Sequence, residues 1–215
     1  MGRTPAGQVT GTDELFEAVV GAVEALVDGG RYSVCGESYG GYLARGLVAA
    51  VPHRVSGMAL VCPMVVAPHA ERDVPPHQVL VRDDFARSLS LGGEFDEVAV
   101  VQTEETYRRT KEEVVTGCDV ADHAALDRIR QRWDGTFARE PAGATYDAPV
   151  LFLLGRQDSS TGYRDAWGLL EHYPRATFAV LDRAGHNAQI EQPELFQALV
   201  GEWLDRVEEA EPEAR

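Results

Sequence analysis

The sequence predicts an α/β fold, in which a mainly parallel sheet is flanked by helices and interrupted by an inserted helical cap. Short apolar runs of the kind that parallel sheets bury on both faces alternate with helical patterns near both ends of the chain. The middle of the chain has few strand signals and many charged residues. A length of 215 residues favours one domain with an insertion over two independent domains.

The first part of the chain is predicted to form a helix, a strand, a sharp turn, a second helix and a second strand. Thr12 is a typical helix N-cap with two acids after it, and apolar residues then repeat at helical spacing up to Gly29. Residues 32–35 are typical of a short strand, and the small residues at 39–50 are typical of a helix. The apolar run at 58–62 predicts the next strand.

Two more strands and two helices are predicted in the last part of the chain. The apolar runs at 150–154 and 177–181 are short and end at turn residues, as buried strands do. Helical patterns follow at 165–172 and 193–207. The sheet is therefore expected to contain four parallel strands.

The cap is predicted from helical spacing through residues 95–115 and 124–133. The last residues are too acidic and too poor in apolar groups to pack, so we expect a disordered tail. The predicted organisation is a first core segment 1–64, the cap 65–148, a second core segment 149–207 and the tail 208–215.

Composition excludes several classes of partner. The chain has 20 basic and 35 acidic residues, for a net charge of −15, so nucleic acid and anionic lipid are not expected partners. No apolar run approaches the ~20 residues of a membrane span and no secretory signal is visible, so a cytoplasmic location is expected. Cys35, Cys62 and Cys118 show no C-x-x-C spacing, which favours buried free thiols over a disulfide framework or a metal site.

Residues 36–40 form a G-x-S-x-G motif between a predicted strand and a predicted helix. A serine in this context sits on a strained turn that lifts its hydroxyl above the carboxyl edge of the sheet. Gly36 and Gly40 are expected to be required because no side chain fits beside the serine, and Gly41 adds further room. The motif predicts that Ser38 is a nucleophile.

A serine hydroxyl needs a histidine base, and the base needs a carboxylate that orients it. Asp158 directly follows the predicted strand 150–154, and His186 follows the strand 177–181. The chain order Ser38, Asp158, His186 is the order that the nucleophile-elbow fold uses. These three residues are the predicted catalytic triad.

Other residues compete for these roles. Asp165 is an alternative acid, but it falls within a helical pattern, where a surface carboxylate is the ordinary interpretation. Tyr163 and Trp167 follow the acid loop and are candidate substrate-binding residues that line an acyl pocket, although core packing explains them equally well. The remaining histidines lack metal-ligand spacing and are interpreted as surface or packing residues: His53, His69, His77, His123 and His172.

The chain resembles the α/β-hydrolase family, in particular its capped members, from about residue 2 to residue 207. The resemblance lies in a G-E-S-Y-G-G elbow, a G-R-Q-D acid loop and an A-G-H histidine loop. It implies a serine hydrolase that cleaves a small acyl substrate, at an ester or related C–O or C–C bond, through an acyl-enzyme and without metal or organic cofactor. The Tyr39 backbone N–H is then expected to donate to the oxyanion.

The sequence departs from this family at its start. Members normally carry further strands and a His-Gly-type loop, which donates the second oxyanion N–H, before the elbow. Too few residues precede Ser38 for these elements, so the chain is expected to be N-terminally truncated or to start from a misassigned codon. Strand 32–35 is then an exposed sheet edge through which a homo-oligomer could form. The alternative function is a catalytically impaired remnant or interaction protein.

Overall fold

A four-stranded parallel sheet forms the core of the fold in the computed structural model. The structure describes residues 4–88, 93–137, 140 and 143–210. The strands found in these residues are β1 (Tyr32–Glu37), β2 (Val55–Val61), β3 (Val81–Arg82), β4 (Val101–Gln102), β5 (Val150–Gly155) and β6 (Ala176–Leu181). The helices are α1 (Thr12–Val27), α2 (Tyr39–Ala50), α3 (Asp84–Ser88), α4 (Glu94–Val98), α5 (Glu104–Thr110), α6 (Thr116–Asp119), α7 (His123–Arg130), α8 (Arg164–Trp167), α9 (Ala188–Glu191) and α10 (Pro193–Ala210).

The main sheet has the order β1-β2-β5-β6, and all of its pairings are parallel. Every residue of β2 and β5 is buried, because these central strands are covered on both faces. The four predicted strands are therefore confirmed. In the described part of the chain, β1 pairs with β2 alone and forms one edge of the sheet.

Helices cover both faces of this sheet. On one face, Ala44 and Val48 of α2 pack with Met58 and Phe152. On the other face, Trp203 and Val207 of α10 pack with residues of β2 and β5. These contacts explain the apolar spacing of both helices and fix the sheet between two helical layers.

The start of α1 differs from the prediction. Gly11, rather than Thr12, is the N-cap, and Thr12 is the first residue of the helix. The Thr12 hydroxyl is buried and donates a hydrogen bond to the backbone oxygen of Trp133, 2.8 Å away. This long-range contact uses the hydroxyl that the N-cap role would have needed.

The helical spacing through residues 95–115 corresponds to several short helices, interrupted by a strand, rather than to one continuous helix. The backbone N–H groups of Val100 and Val101 donate to the side chain of Glu191, so they do not form the backbone hydrogen bonds of a helix. Strand β4 then pairs with β3, and a capping box at Thr103 starts the new helix α5. A π-helical turn at Lys111–Val115 leads into α6.

The end of the chain contains two further differences. The predicted helix at 165–172 consists of α8 and a separate 3-10 turn at Leu170–His172. Helix α10 extends to Ala210 and includes residues 208–210 of the predicted tail, because Val207 is buried against Gly57 and holds the last turns in place. Residues 211–215 lie outside the described residues.

The three cysteines are free thiols. Cys62 is buried, as expected, but Cys35 and Cys118 are exposed. Cys35 lies on the edge strand β1, where alternate residues face solvent. Within the described helices, none is long and apolar enough to cross a membrane.

Candidate active site

Ser38 occupies a strained turn between β1 and α2. Its backbone has φ 53° and ψ −118°, a conformation that side-chain-bearing residues rarely adopt. A Cβ at Gly36 would collide with the backbone of Gly40 and Gly41, and a Cβ at Gly41 would lie 2.7 Å from Cβ of Pro63. A Cβ at Gly40 would meet open space, so the expectation that Gly40 is required is wrong.

The turn is held by the end of strand β2. The Ser38 N–H donates to the backbone oxygen of Val61 at 3.0 Å, and the Met64 N–H donates to the backbone oxygen of Ser38 at 2.9 Å. These hydrogen bonds hold the strained backbone on both sides of the Ser38 side chain. The strained conformation of Ser38 is therefore held by the neighbouring strand. Close packing also holds it, because Gly36 lies against the backbone of Gly40 and Gly41, and Gly41 lies against Pro63.

Asp158 and His186 contact each other at the carboxyl edge of the sheet. Asp158 follows β5, His186 follows β6, and the distance from His186 Nδ1 to Asp158 Oδ2 is 3.0 Å. The Asp158 side chain is fully buried, whereas the His186 side chain is 12% exposed. This geometry fits a carboxylate that orients an imidazole whose other nitrogen can take part in proton transfer.

Three further hydrogen bonds fix the Asp158 carboxylate. The N–H groups of Ser160 and Thr161 donate to Oδ1, and the Thr161 hydroxyl lies 2.7 Å from Oδ2. Burial alone would raise the pKa of Asp158, but the hydrogen bonds from His186 and Thr161 lower this pKa below its ordinary value. Asp158 is therefore ionised at neutral pH. Asp165 accepts a hydrogen bond from the Asp73 N–H instead.

An open cavity of about 530 Å³ lies between this edge of the sheet and the cap segment. It brings Ser38 and His186 to one surface. The other residues that line it are Glu37, Glu113, Val114, Gly117, Cys118, Ala121, His123, Leu126, Arg130 and Asn187. Eight of these ten residues belong to segment 65–148, so that segment forms the opposite wall of the cavity.

Tyr39 is the first residue of α2, and its side chain points away from this cavity. Its hydroxyl donates to Thr12 Oγ1 at 2.8 Å, and its ring stacks on Trp133 with centroids 4.1 Å apart. The backbone N–H of a first helical residue has no partner within its own helix. The Tyr39 side chain is therefore engaged away from Ser38, and its backbone N–H is the group that adjoins Ser38.

Tyr163 and Trp167 are not brought to the Ser38 cavity. The guanidinium of Arg156 lies 4.8 Å from the centroid of the Tyr163 ring, which also packs on the core. Trp167 is 63% exposed and contacts the edge of Phe178. Neither ring is among the residues that line the cavity at Ser38.

Potential metal ligands coincide with two residues of the predicted triad. Among the described residues, one cluster of three such side chains occurs, formed by Cys62, Asp158 and His186, whose ligand atoms lie within 4.8 Å of one another. The Asp158 and His186 atoms of that cluster already hydrogen-bond to each other, and burial raises the pKa of the Cys62 thiol. The Asp158 and His186 atoms that could bind a metal are therefore already paired with each other.

Sequence reasoning missed several residues that shape this site. Glu37 lines the cavity beside Ser38, Thr161 binds Asp158, and Glu191 binds the backbone of Gly185 next to His186. His123, interpreted as a surface or packing residue, also lines the cavity. Glu37 was visible inside the motif, but no spacing rule pointed to Thr161 or Glu191, since both act through tertiary contacts.

Comparison with known proteins finds a family-level match. The model of a family described as alpha/beta hydrolase fold matches residues 2–193. The chain is 27% identical over 216 aligned positions to 2-hydroxymuconate semialdehyde hydrolase of Pseudomonas sp. (strain CF600). That alignment covers 96% of this chain and 73% of the relative.

Solved structures show the same fold. An alpha/beta superfamily hydrolase from Oenococcus oeni PSU-1 superposes with a TM-score of 0.84 and 23% identity, covering 94% of this chain and 76% of that chain. A thermophilic esterase from Thermogutta terrifontis superposes with a TM-score of 0.58 and 21% identity, covering 90% and 71%. At these identities, the two similarities establish the arrangement of strands and helices.

Proposed function

Because this chain belongs to the alpha/beta hydrolase fold family, we propose that it is a serine hydrolase that cleaves a small acyl substrate through Ser38, His186 and Asp158. The proposal rests on one observation, that two features needed for this chemistry line the same cavity. A serine on a strained turn and a histidine bound to a buried carboxylate both reach that cavity. This combination is the arrangement that nucleophilic acyl transfer requires.

In the proposed reaction, Ser38 Oγ attacks the carbonyl carbon of the substrate while His186 Nε2 accepts the serine proton. The Tyr39 N–H donates a hydrogen bond to the oxyanion that forms. Collapse of this intermediate breaks the bond to the leaving group, which takes the proton from His186, and leaves an acyl group on Ser38. Water, deprotonated by His186, then attacks the acyl carbon, and the acid product and free serine result.

Asp158 has a supporting role in this reaction. Its carboxylate holds the His186 Nδ1–H, which leaves Nε2 free to act as the base, and it stabilises the imidazolium that forms after proton transfer. The lowered pKa of Asp158 supports this role, since the group stays ionised throughout the cycle. The chemistry uses no metal and no organic cofactor.

The proposed substrate class is a small molecule with an ester bond or a C–C bond next to a carbonyl group. An esterase stands among the structural neighbours, and a relative at 27% identity is named for hydrolysis of 2-hydroxymuconate semialdehyde. A cavity of about 530 Å³ accommodates molecules of this size. Its wall in segment 65–148 combines apolar residues such as Val114 and Leu126 with polar ones.

The test is covalent labelling of the purified chain with a fluorophosphonate, with the labelled peptide identified by mass spectrometry. We expect label on Ser38 in the wild type and none in Ser38→Ala. Ser33→Ala is the matched control, because Ser33 is an exposed serine of the same strand, and it should leave the labelling unchanged. Asp158→Asn should slow labelling by roughly 10³–10⁴-fold, as expected for a triad acid.

Substrate type is resolved by a second assay with p-nitrophenyl esters of short acyl chains and a vinylogous diketone that carries a cleavable C–C bond. Turnover that disappears in Ser38→Ala identifies which bond the enzyme prefers. A folded wild-type chain that is neither labelled on Ser38 nor active on any of these compounds contradicts the proposed function.

A further inference from the structure

A second carboxylate stands beside the proposed nucleophile. Glu37 is the last residue of β1, directly precedes Ser38, and lines the same cavity as Ser38 and His186. The acyl-transfer mechanism proposed above gives this side chain no role. Any acyl group bound at Ser38 must nevertheless lie close to its charge.

The Glu37 carboxylate is held in place by a side chain of helix α9. Gln189 of α9 points its side-chain amide nitrogen at both carboxylate oxygens, at 3.0 Å and 3.1 Å. The backbone oxygen of Gln189 in turn accepts a hydrogen bond from Arg109 of the cap segment. Since both oxygens of Glu37 accept from the same amide, neither one needs a proton, and the arrangement suits an ionised carboxylate.

The charge of Glu37 is not neutralised by an ion pair within the described part of the chain. The other charged side chains of the cavity are differently placed: Glu113 pairs with Arg109, and Arg130 pairs with Asp127. The titratable groups that act on Glu37 are His186 and Asp158, which already bind each other. Burial raises the pKa of Glu37, while Gln189 and His186 lower it.

We propose that Glu37 sets the charge preference of this enzyme, so that acyl groups with an anionic substituent near the reacting carbonyl are rejected and neutral or cationic ones are accepted. The inference rests on the proposed hydrolase function and adds the charge class of the substrate. Two like charges about 6 Å apart, at an effective dielectric constant of about 20, disfavour binding by roughly 100-fold before salt screening. Repulsion of this kind is a common route to substrate discrimination.

The experiment compares three p-nitrophenyl esters that differ in the charge at the end of a four-carbon acyl chain: the butyrate, the hemisuccinate and the 4-trimethylammonium butyrate. The readout is kcat/KM from p-nitrophenolate release at pH 8, where a carboxylate of raised pKa is ionised. For the wild type, we expect the butyrate to exceed the hemisuccinate by at least tenfold. Glu37→Gln should reduce this ratio to about threefold or less. It should also lower kcat/KM for the cationic ester relative to kcat/KM for the butyrate.

Two control variants separate charge from shape. Glu37→Asp keeps the charge and should keep most of the discrimination. Glu113→Gln removes a carboxylate from the same cavity, but one that is paired with Arg109, so the ratio should change by less than threefold. Circular dichroism and the thermal midpoint establish that each variant is folded.

The outcomes distinguish this inference from the function on which it rests. Turnover with an equal ester ratio in wild type and Glu37→Gln overturns the charge preference and leaves the hydrolase function intact. A hemisuccinate preferred by the wild type has the same consequence. If a folded wild-type chain neither releases p-nitrophenolate from any ester nor takes up fluorophosphonate on Ser38, both the function and this inference fail.

Discussion

Glu191 accepts a hydrogen bond from the backbone N–H of Gly185, the residue that precedes His186. The other oxygen of the same buried carboxylate accepts from the N–H groups of Val100 at 2.6 Å and Val101 at 3.0 Å. One side chain thus joins the histidine loop to strand β4 of the cap segment. The position of the histidine loop is therefore coupled through Glu191 to the position of residues 100–101.

Glu191→Gln should destabilise this junction. A glutamine side chain has one acceptor oxygen, so at least one of the three N–H groups would face an amide nitrogen in a buried place. We expect the free energy of unfolding to fall by about 1–3 kcal/mol, measured by urea denaturation, and Ser38 labelling to slow. Glu194→Gln, an exposed position in the adjacent helix, is the control and should change neither quantity. Equal stability of both variants contradicts the proposed coupling.

The two glycines on either side of the Ser38 turn, Gly36 and Gly40, should differ sharply in their tolerance of a side chain. Gly36→Ala places a Cβ on the backbone of Gly40 and Gly41, so we expect loss of several kcal/mol of stability or failure to fold. Gly40→Ala places its Cβ in open space within α2, so stability should stay equal or rise slightly. Urea denaturation, together with labelling of Ser38, measures both effects. A large loss in Gly40→Ala would show that the turn needs both glycines.

The Ser38 turn and the four strands of the main sheet were predictable because they depend on local signals. Apolar runs that end at turn residues identify β2 and β5, and G-x-S-x-G between a strand and a helix identifies the Ser38 turn. Asp158 and His186 follow strands, and carboxyl ends of parallel strands meet at one edge of a sheet. Their contact therefore followed from topology alone.

The cap and the fine structure of the site were not predictable in the same way. The helical spacing through 95–115 is real, but Glu191 removes the N–H groups of Val100 and Val101 from the ladder, and it lies about 90 residues further along the chain. Thr12 has the composition of an N-cap, yet its hydroxyl binds Trp133. In each case a distant partner decides between two local options, and the local sequence does not contain that partner.

The edge strand β1 should allow this chain to associate with itself. In the described residues it pairs with β2 alone, and unpaired strand edges are common sites of association. The net charge of −15 opposes association, so we expect the oligomer to increase with salt, measured by size exclusion with light scattering. Ser33→Lys on β1 should reduce it, whereas Ala25→Lys on the exposed face of α1 should not. A wild type that stays monomeric at high salt contradicts this prediction.

Tyr39→Phe should separate the stability of the site from its chemistry. The variant loses the hydrogen bond from the Tyr39 hydroxyl to Thr12 but keeps the ring on Trp133 and the backbone N–H beside Ser38. We expect a loss of about 1 kcal/mol in the free energy of unfolding and an unchanged labelling rate at Ser38. A strong decrease in labelling, with the fold intact, would show that the Tyr39 hydroxyl itself takes part in the reaction.

Asp158 should give the folded protein a specific dependence on pH. Its pKa is lowered in the folded state, despite the opposing effect of burial, by the hydrogen bonds from His186 and Thr161. A carboxyl group of this kind binds protons more weakly when folded than when unfolded. Its contribution to stability is therefore complete above the unfolded pKa of about 3.9 and is lost as the pH falls through the folded pKa.

Asp158→Asn removes this titration, so the free energy of unfolding of the variant should decrease less steeply than that of the wild type as the pH falls below about 4. The variant should be less stable than the wild type at pH 7, and the two curves should converge in acid. Urea denaturation at a series of pH values measures both curves. Asp182→Asn, at an exposed position on the loop before His186, is the control for removal of a carboxyl group from this region. Parallel curves for Asp158→Asn and the wild type would mean that the Asp158 carboxylate is not stabilised by His186 in the folded protein.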